Sequence, residues 1–176
     1  MNIVIVSYSY TGNNDILAEC LAKDLSAKHV RIEVQKPMTT WTTILDMIFS
    51  RTPKVQPDPD SLRKYDLILF CAPVWLGCVA SPLRKYLSYL KSNPQPYGFV
   101  SISGGADGEN PKLFGELMKR TGMKPVVVLD QHIKDLISSS SEVTRKDTSD
   151  RKISEAEAKQ LSLTALNEIN KLSVYS

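Results

Sequence analysis

Five short apolar runs, each followed by an amphipathic stretch, organise this chain. Residues 2–7 hold Ile3, Val4, Ile5 and Val6 in succession, and residues 66–71 hold Leu67, Ile68, Leu69 and Phe70. Unbroken apolar runs of this kind read as strands buried on both faces, as in parallel sheets. Residues 99–102 and 125–129 supply two more strands, and 30–34, alternating with Arg31 and Glu33, reads as one nearer an edge. Between them, Ile16, Leu17, Cys20, Leu21 and Leu25 mark one helix face, with an Asn or Asp of 13–15 available as N-cap. Trp41, Ile44, Leu45 and Ile48 keep helical spacing up to a proline-rich loop at 53–59. Ser81-Pro82 reads as an N-cap with proline at N1, opening a helix that carries Leu83, Tyr86, Leu87 and Leu90. Asn110-Pro111 opens another helix, which Gly122 closes as a C′ residue. A capping box, Ser154-x-x-Glu157, starts the last helix, with Leu161, Leu166, Ile169 and Leu172 on its face.

Strand and helix alternate five times without an internal sequence repeat. That order predicts an α/β fold in one domain over 1–176: a doubly wound, five-stranded parallel sheet with right-handed crossovers. The expected strand order is 2-1-3-4-5, and ligands of such sheets sit beyond the carboxyl ends of strands 1, 3 and 4. One long polar segment, 131–151, contains four consecutive serines at 138–141. It reads either as an insertion beside the fifth strand or as a flap over the ligand edge.

Three loops follow those strand ends. The first, Ser9-Tyr10-Thr11-Gly12-Asn13-Asn14, joins a buried strand to a helix N-terminus. Unpaired N–H groups and the helix dipole favour an anion there. Ser9 and Thr11 add hydroxyls, Gly12 permits close approach, and no lysine is present, which suits a permanently held phosphate monoester better than a triphosphate. The second, Ala72-Pro73-Val74-Trp75-Leu76-Gly77-Cys78, puts apolar side chains and an indole at the edge, suited to stacking on a planar ligand. The third, Ser103-Gly104-Gly105-Ala106-Asp107-Gly108, offers main-chain N–H groups to a ligand that comes close.

These loops resemble those of the flavodoxin family. The family's first loop reads roughly Ser/Thr-x-Thr-Gly-Asn/x-Thr around the FMN phosphate; Ser9, Thr11, Gly12 and Asn13 match it, and Asn14 replaces the final Thr. The second loop resembles the stretch that wraps the isoalloxazine, and the third the one that meets its pyrimidine edge. The resemblance thus implies FMN held by Ser9, Tyr10, Thr11, Gly12, Asn13, Asn14, Pro73, Val74, Trp75, Leu76, Gly77, Ser103, Gly104 and Gly105. In that family a peptide beside the flavin N5 turns over on one-electron reduction. Gly77 is the residue here that takes φ > 0 freely, whereas Leu76 would resist it. The aromatic residue that many flavodoxins carry in the third loop is absent.

Composition narrows the function. Residues 1–75 carry eight basic and eight acidic side chains, and 76–176 carry fourteen and eleven, so no basic stripe points to nucleic acid. Flavodoxin carriers are typically acidic, which inclines the reading from a pure carrier toward a reductase. Nothing approaches a membrane span or a signal peptide, and an odd three cysteines without CxxC fit a cytoplasmic protein whose Cys20, Cys71 and Cys78 are small buried hydrophobes. The function expected is electron transfer through tightly bound FMN, with a redox protein or small molecule as partner and the oligomeric state open. The alternatives are an FMN-dependent NAD(P)H:quinone-type reductase and a cofactor-free partner-binding protein. Cys78-x5-Arg84 has the spacing of a thiolate phosphatase but lies past the strand end where such a loop begins. His29 and His132 read as surface residues.

Overall fold

The computed structural model describes residues 1–36, 39–138 and 142–173. The side chains of Ile44, Ile48 and Leu172, and serines 139–141, lie outside the described residues. In chain order the elements are β1 (Ile3–Ser7), α1 (Asn13–Asp24), β2 (Lys28–Arg31), β3 (Glu33–Val34), α2 (Thr40–Ile48) and β4 (Val55–Gln56). They continue with β5 (Leu67–Cys71), β6 (Val74–Trp75), β7 (Cys78–Val79), α3 (Arg84–Ser92), β8 (Tyr97–Ser103) and α4 (Leu113–Thr121). The chain closes with β9 (Val128–His132), α5 (Arg145–Ser149) and α6 (Glu155–Ser173). Short 3₁₀ turns occupy Pro59–Leu62, Ser81–Leu83 and Ile133–Leu136.

The main sheet runs β2-β1-β5-β8-β9, all parallel, which is the doubly wound order expected. The burial of its central strands explains their unbroken apolar runs. Side chains alternate between two cores, so Val4, Val6, Ile68 and Phe70 pack under Tyr86 and Leu87 of α3. Ile3, Ile5, Leu67 and Leu69 face Leu17 and Leu21 of α1 and Leu161 and Ile169 of α6. Among the described residues no helix is long and apolar enough to cross a membrane.

Local details differ from the sequence reading where long-range bonds outweigh local signals. Residues 30–34 are not one strand: β2 ends at Arg31, and β3 pairs antiparallel with β4 inside the expected 53–59 loop. The fifth strand pairs over Val128–His132 rather than 125–129. Ser81 is no N-cap: it begins a 3₁₀ turn and donates to Asp46 Oδ2 at 3.3 Å. Gly122 does close α4 in the left-handed conformation, φ 74, and Ser154 and Glu157 bond reciprocally at the start of α6.

Candidate functional site

The first loop is closed upon itself. Ser9 Oγ accepts from the Gly12 N–H at 2.9 Å and the Asn14 N–H at 3.1 Å. Gly12, with φ 96, is the helix cap, so the Asn and Asp expected there serve elsewhere. Asn14 is buried, its amide donating to the Ile102 carbonyl at 2.9 Å and accepting from the Ile102 N–H at 3.0 Å. Asn13 makes the same kind of clasp on the far side, donating to the Arg151 carbonyl at 2.8 Å and accepting from the Ile153 N–H at 3.0 Å. The N–H groups of Thr11 and Asn13 remain without a partner among the described residues. Asp15, an acid in the first helical turn, is turned away: it accepts from Ser7 Oγ at 2.6 Å and lies 3.9 Å from Arg31 Nε. An anion at the mouth of α1 would therefore meet open N–H groups rather than that carboxylate.

The second loop is a tight hairpin. Trp75 pairs with Cys78, which leaves Leu76 (φ 50) and Gly77 (φ 76) as the two central residues of a type I′ turn. Leu76 thus does not resist positive φ as the sequence suggested. Strand twist selects the turn, and the leucine side chain, 79% exposed, projects where nothing crowds it. The conformation costs roughly 1–2 kcal/mol in a non-glycine residue. Leu76→Asn, which builds the preferred Asn-Gly turn, should raise stability by about 1 kcal/mol, or roughly 2–4 °C in Tm. A lower Tm would show that the leucine is held by contacts rather than tolerated. Trp75 itself stands edge-on between Tyr8 (6.1 Å between centroids) and Tyr10 (6.3 Å). Burial, with Tyr10 and Asp15 nearby, pushes the Tyr8 hydroxyl up to about 12.

In the third loop the Gly104 carbonyl accepts from the Lys134 N–H at 3.1 Å, and the Gly105 carbonyl from the Gly108 N–H at 2.9 Å. A Cβ on Gly105 would come within 2.4 Å of His132, so that histidine is a floor for the turn rather than a surface residue. His132 Nε2 lies 3.3 Å from Asp130 Oδ2, which also accepts from Asn110 at 2.6 Å. His29 is half-buried beside Ser7, and burial with Arg31 nearby lowers its pKa. Ser103 Oγ is buried with no hydrogen-bond partner among the described residues.

A cavity of about 450 Å³ joins the loops. Tyr10, Thr11, Asn13 and Asn14 line one end, Pro73, Val74 and Trp75 a wall, and Ile102, Ser103 and Gly104 the floor. Leu76 and Gly105 line a smaller, adjoining cavity of about 260 Å³, together with Val74, Ser103 and Gly104. Ser9, Gly12 and Gly77 line neither: Ser9 Oγ closes the first loop on itself, and Gly12 and Gly77 take the positive φ their turns need. Reading the sequence missed the fourth wall: Arg145, Thr148, Ser149 and Asp150, on and just after the short helix α5, with Ile133 before it. Its signal was the length of the polar 131–151 segment, whose later part lines the cavity. Cys78 and Arg84 form no phosphate loop. Burial and Glu116 push the Cys78 thiol up, and Arg84 donates to the Asp46 and Arg51 carbonyls at 2.7 and 2.9 Å.

No protein-family profile matches the chain, and no curated protein matches it. Solved structures do. A flavoprotein from Lactobacillus acidophilus, crystallised in complex with FMN, is 23% identical over 74% of this chain and 93% of its own, with a TM-score of 0.63. A candidate flavoprotein from Bacteroides uniformis is 15% identical over 90% and 96%, with a TM-score of 0.66. The Trp repressor binding protein of Bacillus subtilis is 15% identical over 91% and 98%, with a TM-score of 0.50. The fold is flavodoxin-like.

Proposed function

We propose that this chain binds FMN in the larger cavity and transfers electrons through it. One observation carries the reading: a single cavity of about 450 Å³ joins the open N-terminus of α1 to an aromatic wall and a glycine turn. That volume falls within the roughly 300–1,000 Å³ of small-molecule sites. The polar end suits a phosphate, with unpaired N–H groups on Thr11 and Asn13 and the Thr11 hydroxyl beside them. Trp75, Tyr10 and Val74 suit the faces of a flat apolar ring. Ser103 Oγ, without a partner among the described residues, fits a ring heteroatom, because buried hydroxyls without partners are uncommon. Gly104 keeps the cavity floor flat against Thr148, since a Cβ there would meet Thr148 Oγ1 at 2.9 Å. The flavoprotein of Lactobacillus, similar in fold and bound to FMN, supports the same assignment.

Bound FMN would supply one- and two-electron chemistry; the protein supplies orientation and a dry wall. Asn13 and Asn14 do not bind the cofactor through their amides in this reading. They fix the loop whose N–H groups do. A carrier and a reductase share that machinery. The adjoining cavity leaves space for a small-molecule acceptor, which favours the reductase version alongside the slightly basic charge. Neither version calls for nucleic acid, and a cytoplasmic location fits both. Steady-state NAD(P)H oxidation with a quinone separates them, since a pure carrier should show almost none.

The cofactor assignment is tested by tryptophan emission in a Trp41→Phe background, which leaves Trp75 as the reporter. FMN should quench it on one-to-one uptake, and removal should restore it. Emission unchanged by added FMN would place the ring away from Trp75.

A further inference from the structure

An ion pair crosses the rim of both cavities. Arg145 Nε lies 2.8 Å from each carboxylate oxygen of Asp107, joining α5 to the third loop. Both side chains are exposed, at 72% and 67%. An exposed pair of this kind contributes little to folding, so it can be exchanged at small cost. Only the Nε–H is engaged, and the terminal Nη groups have no partner among the described residues. Arg145 is also the one basic side chain lining either cavity among the described residues. A planar guanidinium with open donors is a bidentate carboxylate receptor.

The smaller cavity, about 260 Å³, lies between Leu76 on one side and the 104–108 turn on the other, with Arg145 and Asp107 at its rim. Leu76 is an exposed apolar side chain in a backbone conformation that favours Asn or Gly. The turn gains nothing from leucine, but an apolar surface held at the mouth of a cavity suits a flat hydrocarbon face.

We propose that the smaller cavity is the substrate subsite, and that it takes a small planar aromatic carboxylate. In this assignment Leu76 meets the ring, and Arg145 exchanges Asp107 for the ligand's carboxylate. It rests on the cofactor reading above only in that the larger cavity is filled by FMN. Asp107 acts as an internal competitor: it holds Arg145 in place when no anion is present, and only an anionic ligand displaces it. Arg145 is thus a specificity residue for charge, and Leu76 one for shape.

The test uses 2-naphthoate and its neutral amide, 2-naphthamide, titrated calorimetrically into FMN-loaded protein. FMN uptake is read first by absorbance in the same samples, so a failure of the cofactor reading shows there and not in the naphthoate arm. Naphthoate should bind at least tenfold more tightly than the amide. Arg145→Gln should bring the two within twofold, and Arg145→Lys should restore part of the difference. Asp107→Asn should tighten naphthoate at least threefold while leaving the amide where it was. Leu76→Asn should weaken both together. Equal binding of the two probes to the unmodified protein overturns the proposal, as does discrimination that survives Arg145→Gln. Naphthoate binding indifferent to Asp107→Asn overturns the exchange, and loss of FMN from Arg145→Gln would assign that arginine to the cofactor instead.

Discussion

Asn14→Ala should cost about 2–5 kcal/mol of folding stability, the largest loss expected from any single side chain of the first loop. The reason lies in the sheet. β5 ends at Cys71, opposite Val100 of β8, and the chain then turns away through Pro73, which has no N–H. The Phe99 N–H bonds to Val127 on the β9 side, so strand alternation sends both polar groups of Ile102 toward the side β5 has left. The Asn14 amide continues the ladder there, one donor and one acceptor to one peptide. Alanine would orphan a buried N–H and a buried C=O together, each worth roughly 1–3 kcal/mol. Asn14→Thr, the residue usual in flavodoxins at this place, should lose nearly as much, because one hydroxyl cannot span both groups. Urea melts of the three proteins check this. A threonine variant as stable as the parent would show that the clasp contributes little.

Gly105→Ala should be nearly as damaging, by about 2–5 kcal/mol, for two reasons that a control separates. Its φ of 75 is unfavourable for any Cβ, by roughly 1–2 kcal/mol, and the new methyl would lie 2.4 Å from His132 Cβ and 2.5 Å from Cγ. Those atoms are the root of the ring, held by Asp130, so the neighbour cannot swing aside, and overpacking of that kind costs roughly 1–3 kcal/mol. Gly108, with φ 90, has open space where a Cβ would stand, nothing lying within 4 Å, so Gly108→Ala should show the backbone cost alone. The difference between the two variants in denaturation isolates the clash. Equal losses would mean that His132 gives way. The Gly105 variant should also take up FMN poorly, because a displaced turn would move Gly104, which floors the larger cavity.

Much of this fold can be read from the chain because its central strands are buried on both faces and therefore unbroken in apolar character. The three loops that line the cavities are legible for the same reason: each follows such a strand directly. What stayed hidden depends on partners far away in sequence. Asn13 and Asn14 sit beside a helix start, where a local reading makes them caps, yet their bonds go to residues 151–153 and to Ile102. Two-residue strands such as β3 and β4 are too short for any periodic signal. His132 reads as an exposed polar residue until the glycine turn is laid over it. Arg145 lies in a polar segment whose composition resembles any surface loop, and contacts distant in sequence, Thr148 against Gly104 and Arg145 with Asp107, bring it to the cavity. Leu76 defied its own preference because the pairing of Trp75 with Cys78 sets the turn.

The most direct test is the ratio of affinities for FMN and riboflavin, which share a ring and differ in the phosphate. Calorimetric titration of cofactor-free protein with each gives it. Two N–H groups and a hydroxyl bonding a charged phosphate, at roughly 1.5–3 kcal/mol for each bond, predict that FMN binds on the order of 1,000-fold more tightly or better. Thr11→Ala should erode that ratio and leave riboflavin unaffected. Equal affinities for the two flavins would contradict the account, because the loop at the head of α1 would then hold no phosphate.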